Sequence, residues 1–279
     1  MALTTIRKPP HSELDLVIRH LNHQLGEGSI MRLGDNSNMI VETFPSGSFA
    51  LDYALGGGYP KGRIVEISGP ESSGKSSLSL HAIAEVQKGG GTAVLIDMEN
   101  ALDPTYARTI GVNTDQLLVS SPESGEDALS IAEQLVASRA INLIVIDSVA
   151  ALVPQAELDA EMGDFPSPPI AYLMSKALRR LMNVIHPNCT IIFLNQLRIK
   201  SGVVYGNPEV TCGGNALKYY ASIRIDTRRI QTLRRDMNEL GIRIRAKVIK
   251  NKIAPPFRTA EIDLHFDKGF ADTDRSKAA

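Results

Sequence analysis

Short apolar runs alternate with helical segments through the middle of the chain. Five runs have the β-branched and apolar composition of buried strands: RIVEIS, TAVLID, QLLVS, NLIVID and TIIFLNQ, from residues 63, 92, 116, 142 and 190. Helical stretches follow the first four, at residues 75–88, 104–111, 125–138 and 171–185. Nearly continuous apolar strands separated by helices are typical of a parallel sheet covered on both faces. The pattern therefore predicts an α/β fold.

The rhythm changes after Gln196. A glycine-rich loop leads into three segments in which apolar and polar residues alternate, ASIRIDTRRI, RIRAKVIKNKI and AEIDLHF, from residues 221, 243 and 260. A period of two is typical of strands with one exposed face. We expect these segments to be antiparallel strands added at one edge of the sheet.

The N-terminal segment reads as a detached amphipathic helix. Ser12 and Asp15 have the spacing of a capping box, Gly26 ends the pattern, and one helical stripe carries Leu14, Val17, Leu21 and Leu25. Such a helix either covers its own domain or docks on a neighbouring copy. We divide the chain into residues 1–40, the helix and a linker, residues 41–268, the core, and residues 269–279, a polar tail.

The segment GPESSGKSS, residues 69–77, carries the clearest chemical signal. Its spacing fits G-x-x-x-x-G-K-[ST], in which backbone N–H groups wrap a phosphate chain where a helix begins. Lys75 would reach the β- and γ-phosphates, and the Ser76 hydroxyl would take one Mg²⁺ position. The alternative, a chance turn, does not explain the strand before it and the helix after it. The predicted nucleotide-binding residues here are Gly69, Pro70, Glu71, Ser72, Ser73, Gly74, Lys75, Ser76 and Ser77.

Three further strand ends carry polar groups. Asp147 ends NLIVID and is a candidate Mg²⁺ ligand, with Asp97 at the end of AVLID as its competitor. Glu99 follows Asp97 and could polarise a water for attack on a phosphate, although a surface glutamate in a loop would look the same. Gln196 could sense a γ-phosphate, or could be an ordinary strand-end amide.

Composition narrows the class of partner. The chain has 279 residues, 43% of them apolar, and a net charge of -1, but residues 198–258 carry fourteen Lys or Arg against four Asp or Glu. This basic block indicates either a phosphate-binding surface or a solvated face. Two cysteines make no disulfide framework, and no apolar run is long enough for a membrane span. We therefore expect a cytoplasmic protein without a membrane partner.

The chain resembles the bacterial RecA recombinase family from about residue 21 to about residue 266. The likeness rests on the phosphate loop and on IDMENALDPTYARTIGV, VIDSVAALVPQAEL, FLNQLRIKSGVVYGNPEVTCGGNALKYYASIRID and KVIKNKIAPPF, in the family's order. It implies a RecA-like P-loop NTPase core that hydrolyses ATP with Mg²⁺ in a DNA-dependent manner. It also implies helical homo-oligomeric filaments on single-stranded DNA, pairing with homologous duplex DNA, and strand exchange in recombinational repair and the SOS response to DNA damage.

The resemblance also assigns roles to single residues of the nucleotide site. Lys75 and Ser76 bind phosphates and Mg²⁺, Asp147 supports the metal, and Glu99 activates the attacking water. Gln196 falls at the γ-phosphate sensor. Further positions match contacts to adenine (Asp103 and Tyr106) and to the ATP of the adjacent subunit (Lys250 and Lys252). Alternate positions on one strand face would place both lysine charges on the same side, although a solvated edge strand explains them equally well. Residues 1–40 would be the oligomerisation arm.

The DNA contacts follow from the same comparison. In the loop at residues 197–214, Arg198 and Lys200 would bind backbone phosphates, Tyr205 would insert against bases, and Gly213 and Gly214 would let amides approach a phosphate. A further basic contact is Arg179. Such binding is largely blind to sequence and weakens with salt.

Two departures from the family leave alternatives open. The first DNA loop, GDFPSPPIAYLMSK, has three prolines and Tyr172 where an arginine is expected, which predicts a stiffer loop with fewer phosphate contacts. The family's small C-terminal domain is also not expected in this chain. One alternative is an ATP-binding accessory paralogue that modulates filaments of a full-length recombinase. Another is a helicase or clock-type ATPase, which leaves GGNALK and the lysine pair unexplained.

Overall fold

The computed structural model describes residues 13–32, 41–161, 169–200, 202, 206 and 208–271. By their contacts the residues group into two compact units, Met1–Val41 and Glu42–Ala279. No helix in the described ranges is long and apolar enough to cross a membrane.

The described part of the first unit contains the helix α1 (Glu13–Leu25). Acidic Glu13 and Asp15 lie in its first turn, where their negative charges interact favourably with the positive end of the helix dipole. Gly26 follows with φ +103°, and its N–H donates to the carbonyl oxygen of Asn22 at 3.0 Å, so the predicted helix end is confirmed. The predicted capping residue Ser12 lies outside the described residues. None of the thirteen helical residues is buried.

The second unit holds the remaining helices and strands. In chain order they are β1 (Thr43–Phe44), α2 (Phe49–Leu55), β2 (Tyr59–Pro60), β3 (Ile64–Gly69), α3 (Lys75–Lys88), β4 (Ala93–Asp97), α4 (Pro104–Thr109), β5 (Leu118–Ser120), α5 (Gly125–Ala137), β6 (Leu143–Asp147), α6 (Gln155–Leu158), α7 (Ile170–Val184), β7 (Thr190–Ile199), β8 (Glu209–Thr211), α8 (Ala216–Tyr220), β9 (Ile223–Arg235), β10 (Asn238–Asn251), β11 (Thr259–His265) and β12 (Gly269–Ala271).

One large sheet runs in the order β12-β11-β10-β9-β3-β7-β6-β4-β5, and β8 pairs with β7. Six neighbouring strands of this sheet are mutually parallel: β9, β3, β7, β6, β4 and β5. Strands β10, β11 and β12 continue the sheet beyond β9, each antiparallel to the strand before it. The α/β prediction is confirmed, with one refinement: the first of the three late segments joins the sheet parallel to β3. Gly269–Ala271, which the sequence placed in the polar tail, pair with β11 as a strand.

Alternating strand residues build a hydrophobic core on each face of the sheet. In β3, Val65 and Ile67 pack into the core that contains α3, whereas Ile64 packs into the core that contains α5 and α7. All six residues of β3 are buried, as a central parallel strand requires. The same strand also carries a buried carboxylate, Glu66, on the face of Ile64.

Candidate functional site

Four parallel strands bring the start of the phosphate loop and the predicted polar strand-end residues to one edge of the sheet. Gly69 of β3 lies opposite Gln196 of β7, and Asp97 of β4 lies opposite Asp147 of β6. In sheets of this kind ligands bind at the carboxyl ends of the strands. The residues predicted from separate segments therefore share one site.

The phosphate loop is shaped by two glycines. A Cβ at Gly69 would lie 2.4 Å from Thr227 Oγ1 and 2.5 Å from the Thr227 carbonyl oxygen, so no larger residue fits. Gly74 precedes α3 with φ +86°, and no side chain caps the helix. The N–H groups of the first helical turn are consequently oriented to bind an anion. Ser73 Oγ donates to the Pro70 carbonyl oxygen at 2.8 Å, which holds the turn.

The Lys75 ammonium lies within the loop. Its Nζ donates to the carbonyl oxygens of Gly69 at 3.1 Å and Pro70 at 2.6 Å. Burial lowers the pKa of Lys75, while neighbouring carboxylates, Asp147 first, act in the opposite direction. The ammonium is thus hydrogen-bonded to neutral carbonyl oxygens. A phosphate oxygen carries negative charge and would form a stronger hydrogen bond with it.

Ser76 and Asp147 fit a Mg²⁺ ion. Ser76 Oγ donates to Asp147 Oδ2 at 2.8 Å, so a hydroxyl and a carboxylate oxygen already meet beside the phosphate loop. Burial raises the pKa of Asp147 to about 6, and the Ser76 hydrogen bond opposes that rise. No cluster of three or more Asp, Glu, His or Cys that could hold a metal occurs in the described ranges. Mg²⁺ bound mainly by phosphate and water needs only one or two protein oxygens.

Asp97, the competing ligand, has a different function. Its Oδ1 accepts the N–H groups of Glu99 at 3.2 Å and Ala101 at 3.3 Å, and its Oδ2 accepts that of Leu102 at 3.0 Å. Three backbone donors occupy both carboxylate oxygens. Asp97 therefore shapes the loop that carries Glu99, and Asp147 is the better metal candidate.

Glu99 connects two strand ends. Its Oε1 accepts a hydrogen bond from Gln196 Nε2 at 2.8 Å and another from the Ser148 hydroxyl. The predicted base, Glu99, and the predicted sensor, Gln196, are thus in direct contact, although they lie 97 residues apart in sequence. Sequence reasoning missed Ser148, which is fully buried; its place directly after Asp147 was the available signal.

Asp103 and Tyr106 lie beside the phosphate loop. Asp103 caps α4 by accepting the N–H groups of Thr105 at 2.8 Å and Tyr106 at 3.3 Å. The Tyr106 hydroxyl is 3.0 Å from Ser77 Oγ, and burial raises the pKa of that hydroxyl. A small cavity of about 100 Å³ is lined by both residues together with Ser76 and Asp147.

A larger cavity, of about 300 Å³, lies elsewhere. Lys61, Gly91, Asn142 and Asn188, among its lining residues, each precede a parallel strand, so this cavity is at the amino ends of the strands. It is not part of the site.

Lys250 and Lys252 do not share a strand face, contrary to the expectation, because β10 ends before Lys252. The strand ends at Asn251, where the side chain turns the chain: its Oδ1 accepts the N–H groups of Ile253 and Ala254 at 2.9 and 3.1 Å. Lys252 consequently lies beyond the strand and is exposed. Lys250 Nζ donates to the carbonyl oxygens of Lys218 at 2.6 Å and Tyr219 at 3.0 Å, which caps α8. Burial first, and then the charges of Lys252 and Arg224, lower the pKa of Lys250.

The predicted DNA loop begins as a β-ribbon. Beyond Gln196, β7 continues to Ile199, and residues 197–199 pair antiparallel with β8. Arg198 Nε donates to Cys212 Sγ at 3.1 Å, and Arg198 and Lys200 are both exposed. The ribbon therefore presents two cations to solvent, as a phosphate-binding loop requires.

Gly213 and Gly214 end the loop with φ +79° and +76°. A Cβ on Gly213 would lie 2.7 Å from Val149 Cγ1, and one on Gly214 would lie 2.7 Å from Ala171 Cβ. Close packing against the Val149 turn and α7 thus adds a reason for both glycines besides the predicted phosphate approach. Tyr205, the predicted base contact, lies outside the described residues.

Arg179 lies on an exposed stripe of α7. Tyr172, Lys176 and Arg179 follow helical spacing, and all three are exposed. Arg179 Nε donates to the Ser175 carbonyl oxygen at 3.2 Å. Most of the preceding proline-containing loop, residues 162–168, lies outside the described residues.

A phosphate loop, an aspartate hydrogen-bonded to its serine, and a glutamate and an amide in mutual contact at the carboxyl edge of the sheet together define a P-loop NTPase with a core of parallel strands. Residues 12–271 match the RecA N-terminal domain family. The chain belongs to the RecA family, and the resemblance seen in the sequence is confirmed.

The relatives cover most of the chain. Protein RecA of Prochlorococcus marinus strain MIT 9301 is 58% identical over 271 residues, which are 97% of this chain and 74% of that protein. Protein RecA of Synechococcus sp. strain CC9311 is 60% identical over 259 residues, 92% of this chain and 68% of that protein. The crystal structure of the RadB recombinase matches with a TM-score of 0.63 at 19% identity, covering 83% of this chain and 100% of RadB. This last similarity supports the fold.

Proposed function

We propose that the protein is an ATP-dependent DNA recombinase, which assembles on single-stranded DNA as a filament and promotes homologous pairing and strand exchange in recombinational repair. Beside the family match, one observation supports this function most directly: Gln196, at the start of the DNA-loop ribbon, donates to Glu99 in the nucleotide site. A DNA-dependent ATPase needs such a connection between its two sites.

The chain supplies residues for phosphate binding, metal binding and proton transfer in the hydrolytic step. Backbone N–H groups of residues 71–76 and the Lys75 ammonium hold the phosphate chain, and Ser76 and Asp147 would hold Mg²⁺. Bound there, the ion would neutralise charge on phosphate oxygens. Glu99 accepts the proton of the attacking water. Since Glu99 Oε1 now accepts from Gln196 and Ser148, a Gln196 that turns toward the terminal phosphate would release Glu99 for this task.

The DNA interface combines the loop at residues 197–214 with α7. Arg198, Lys200 and Arg179 supply phosphate contacts, Tyr205 supplies a base contact, and the amides of Gly213 and Gly214 border the loop. Single-stranded DNA is the first partner, and a homologous duplex is the second. Binding through phosphates predicts low sequence preference and strong dependence on salt.

Filament formation involves residues 1–40 and the two lysines. The apolar stripe of α1 is largely exposed, with Leu14 at 59%, Val17 at 52% and Leu25 at 70%, as expected of an arm that packs on a neighbouring copy. Lys250 and Lys252 would reach the ATP of the adjacent subunit. Residues 41–268 then form the ATPase and DNA-binding core.

The alternatives are less well supported. An accessory paralogue without strand exchange is not favoured, because identities of 58–60% cover more than nine tenths of the chain. A helicase or clock-type ATPase is not favoured by the same relatives.

The decisive experiment measures ATP hydrolysis with and without single-stranded DNA, together with electron microscopy of protein, DNA and a non-hydrolysable ATP analogue. We expect stimulation by DNA and helical filaments. Lys75→Ala should reduce turnover by about 100-fold or more, whereas Lys88→Ala, at the far end of α3, should not. A protein that hydrolyses ATP equally without DNA, and is unaffected by Lys75→Ala, contradicts the proposal.

A further inference from the structure

A buried carboxylate lies at the centre of the sheet. Glu66, in β3, is 0% exposed, and it shares the face of its strand with Ile64 rather than with Val65 and Ile67. Burial of a carboxylate is unfavourable unless charged and hydrogen-bonding partners compensate. Its position therefore calls for a physical reason, and the mechanism above gives none.

Two side chains from neighbouring strands compensate the Glu66 charge. Oε2 accepts from Arg224 Nε of β9 at 2.5 Å, and Oε1 accepts from Asn195 Nδ2 of β7 at 2.9 Å. Lys250 of β10 lies opposite Arg224 in the strand register. Glu66, Arg224 and Lys250 thus form a row across three strands on one face of the sheet.

Asn195 uses its remaining hydrogen-bonding capacity on the far end of the DNA loop. Its Nδ2 donates to the Cys212 carbonyl oxygen at 3.1 Å, and its Oδ1 accepts the Cys212 N–H at 3.1 Å. One side-chain amide therefore pairs with both polar groups of a residue seventeen positions later. Because Asn195 precedes the loop and Cys212 lies near its end, these bonds close its base.

The same row of charges holds the segment that leaves the loop. Lys250 caps the carbonyl oxygens of Lys218 and Tyr219 in α8, the helix that begins shortly after Gly214. Burial lowers the pKa of Lys250, and the nearby charge of Glu66 acts in the opposite direction. Both the closure of the loop and its exit thus depend on groups gathered around one carboxylate.

Asn195 and Gln196 link this network to the nucleotide site. Adjacent residues in a strand point to opposite faces, and here Gln196 contacts Glu99 while Asn195 contacts Glu66. A movement of Gln196 that includes its backbone would consequently displace Asn195 as well. The two sites are connected through a single peptide unit.

We propose that Glu66 and Asn195 are positioning residues that transmit the state of the nucleotide site to the DNA loop, by holding Cys212 against β7 in one state and releasing it in the other. The inference rests on the proposed function, since it assumes that Gln196 responds to nucleotide. The contacts of both residues are with other side chains and with the backbone of Cys212. Their effect is on the coupling between the two ligands.

The test compares the affinity for single-stranded DNA in the presence of a non-hydrolysable ATP analogue with that in ADP. Asn195→Ala should reduce this affinity ratio by about tenfold, a typical allosteric coupling. Glu66→Gln should reduce it less, because the glutamine oxygen can still accept from Asn195. The control is Thr190→Val, which removes a buried hydroxyl that donates to the Pro60 carbonyl oxygen at the other end of β7. A purely structural loss would lower both affinities alike and leave the ratio intact.

The outcomes separate the two proposals. A wild-type protein whose DNA affinity does not depend on nucleotide overturns the proposed function and this inference with it. If folded Asn195→Ala and Glu66→Gln proteins have the same ratio of DNA affinities as the wild type, the inference alone is overturned. If either variant fails to fold, hydrogen exchange of the wild-type protein decides. We expect the ATP analogue, without DNA, to change the exchange rate of the Cys212 amide, and an unchanged rate refutes the role of Asn195.

Discussion

The phosphate loop and the DNA loop are built in opposite ways. The phosphate loop, residues 69–77, connects a fully buried strand to a fourteen-residue helix, and its shape depends on glycines, on a hydrogen bond within the turn and on contacts with Thr227. The DNA loop, residues 197–214, starts from a ribbon whose Ile199 is 79% exposed, and its base is closed by bonds between distant residues. The phosphate loop is therefore fixed at both ends by regular elements, whereas the DNA loop begins on a ribbon that is exposed to solvent.

Charge is handled differently in the two regions as well. At the phosphate loop burial lowers the pKa of Lys75, so a cation is held ready where a polyanion would stabilise it. Beside the DNA loop Arg228 is already paired: Nη1 and Nη2 donate to Glu209 at 2.8 and 2.6 Å, and the bonds to Glu209 and Asp226 raise the pKa of Arg228. That arginine fixes the ribbon, and unpaired charge for DNA must come from other positions.

The largest expected effect concerns the residue that joins the two regions. Glu99→Gln removes the proposed general base, so kcat should fall by about 10²- to 10⁴-fold, while nucleotide affinity changes little. The measurement is steady-state ATPase with saturating single-stranded DNA, with nucleotide binding followed separately. Glu157→Gln, an exposed glutamate of α6, is the control. Equal turnover in Glu99→Gln and wild type would remove Glu99 from the mechanism.

The next prediction tests whether the start of the phosphate loop has room only for glycine. Gly69→Ala forces a Cβ against the Thr227 backbone and should lower the free energy of unfolding by about 1–3 kcal/mol, with weaker nucleotide binding. Gly90→Ala is the matched control, since Gly90 has φ +77° with nothing within 4 Å of its Cβ position. It should cost about 1 kcal/mol from backbone conformation and leave binding intact. Urea denaturation and nucleotide titration distinguish these results, and unaltered binding by Gly69→Ala would show that the loop can adapt.

The same contrast explains what the sequence could predict. The strand, glycine turn and helix around Lys75 are contiguous, so local pattern and motif spacing were enough to place them. Asp147 and Gln196 were found because parallel strands bring their carboxyl ends to one edge. The contact between Glu99 and Gln196 then follows from topology.

Features that depend on distant pairing were missed. Nothing in VEIS distinguishes Glu66 from an ordinary exposed strand residue, because its partners Asn195 and Arg224 lie 129 and 158 residues away. Alternation suggested a shared face for Lys250 and Lys252, but the Asn251 side chain ends the strand between them. Strand β12 has three residues, too few to show a period.

A pH experiment tests whether the contact between α3, the helix that follows the phosphate loop, and the edge strand β12 contributes to stability. His81 of α3 accepts the N–H of Phe270 at Nε2 (3.1 Å) and stacks on that ring at 3.7 Å. Burial, and secondarily Lys88, lowers the pKa of His81 from 6.5 to about 4. The unfolded chain then binds more protons between pH 6.5 and 4, so this contribution is complete above pH 6.5 and is lost as the pH falls.

Between pH 7.5 and 5.5 the free energy of unfolding should therefore fall by about 1 kcal/mol from this group. His81→Gln, whose side-chain oxygen can accept the same N–H without titrating, should remove that part of the pH dependence. Urea denaturation of both proteins at several pH values gives the comparison. Parallel pH profiles would mean that His81 does not contribute to the linkage.

The smallest expected effect lies on the exposed side of the comparison. Lys200→Ala removes one proposed phosphate contact from the DNA loop, so the slope of log affinity for single-stranded DNA against log salt should become shallower by about 0.7. Lys268→Ala, an equally exposed lysine in the turn before β12, should leave the slope unchanged. ATP hydrolysis without DNA should be the same in all three proteins, because Lys200 lies on the ribbon and not in the phosphate loop. A slope that Lys200→Ala and Lys268→Ala change equally would show that the loop attracts DNA only through overall charge, and that the basic ribbon contributes no defined contact.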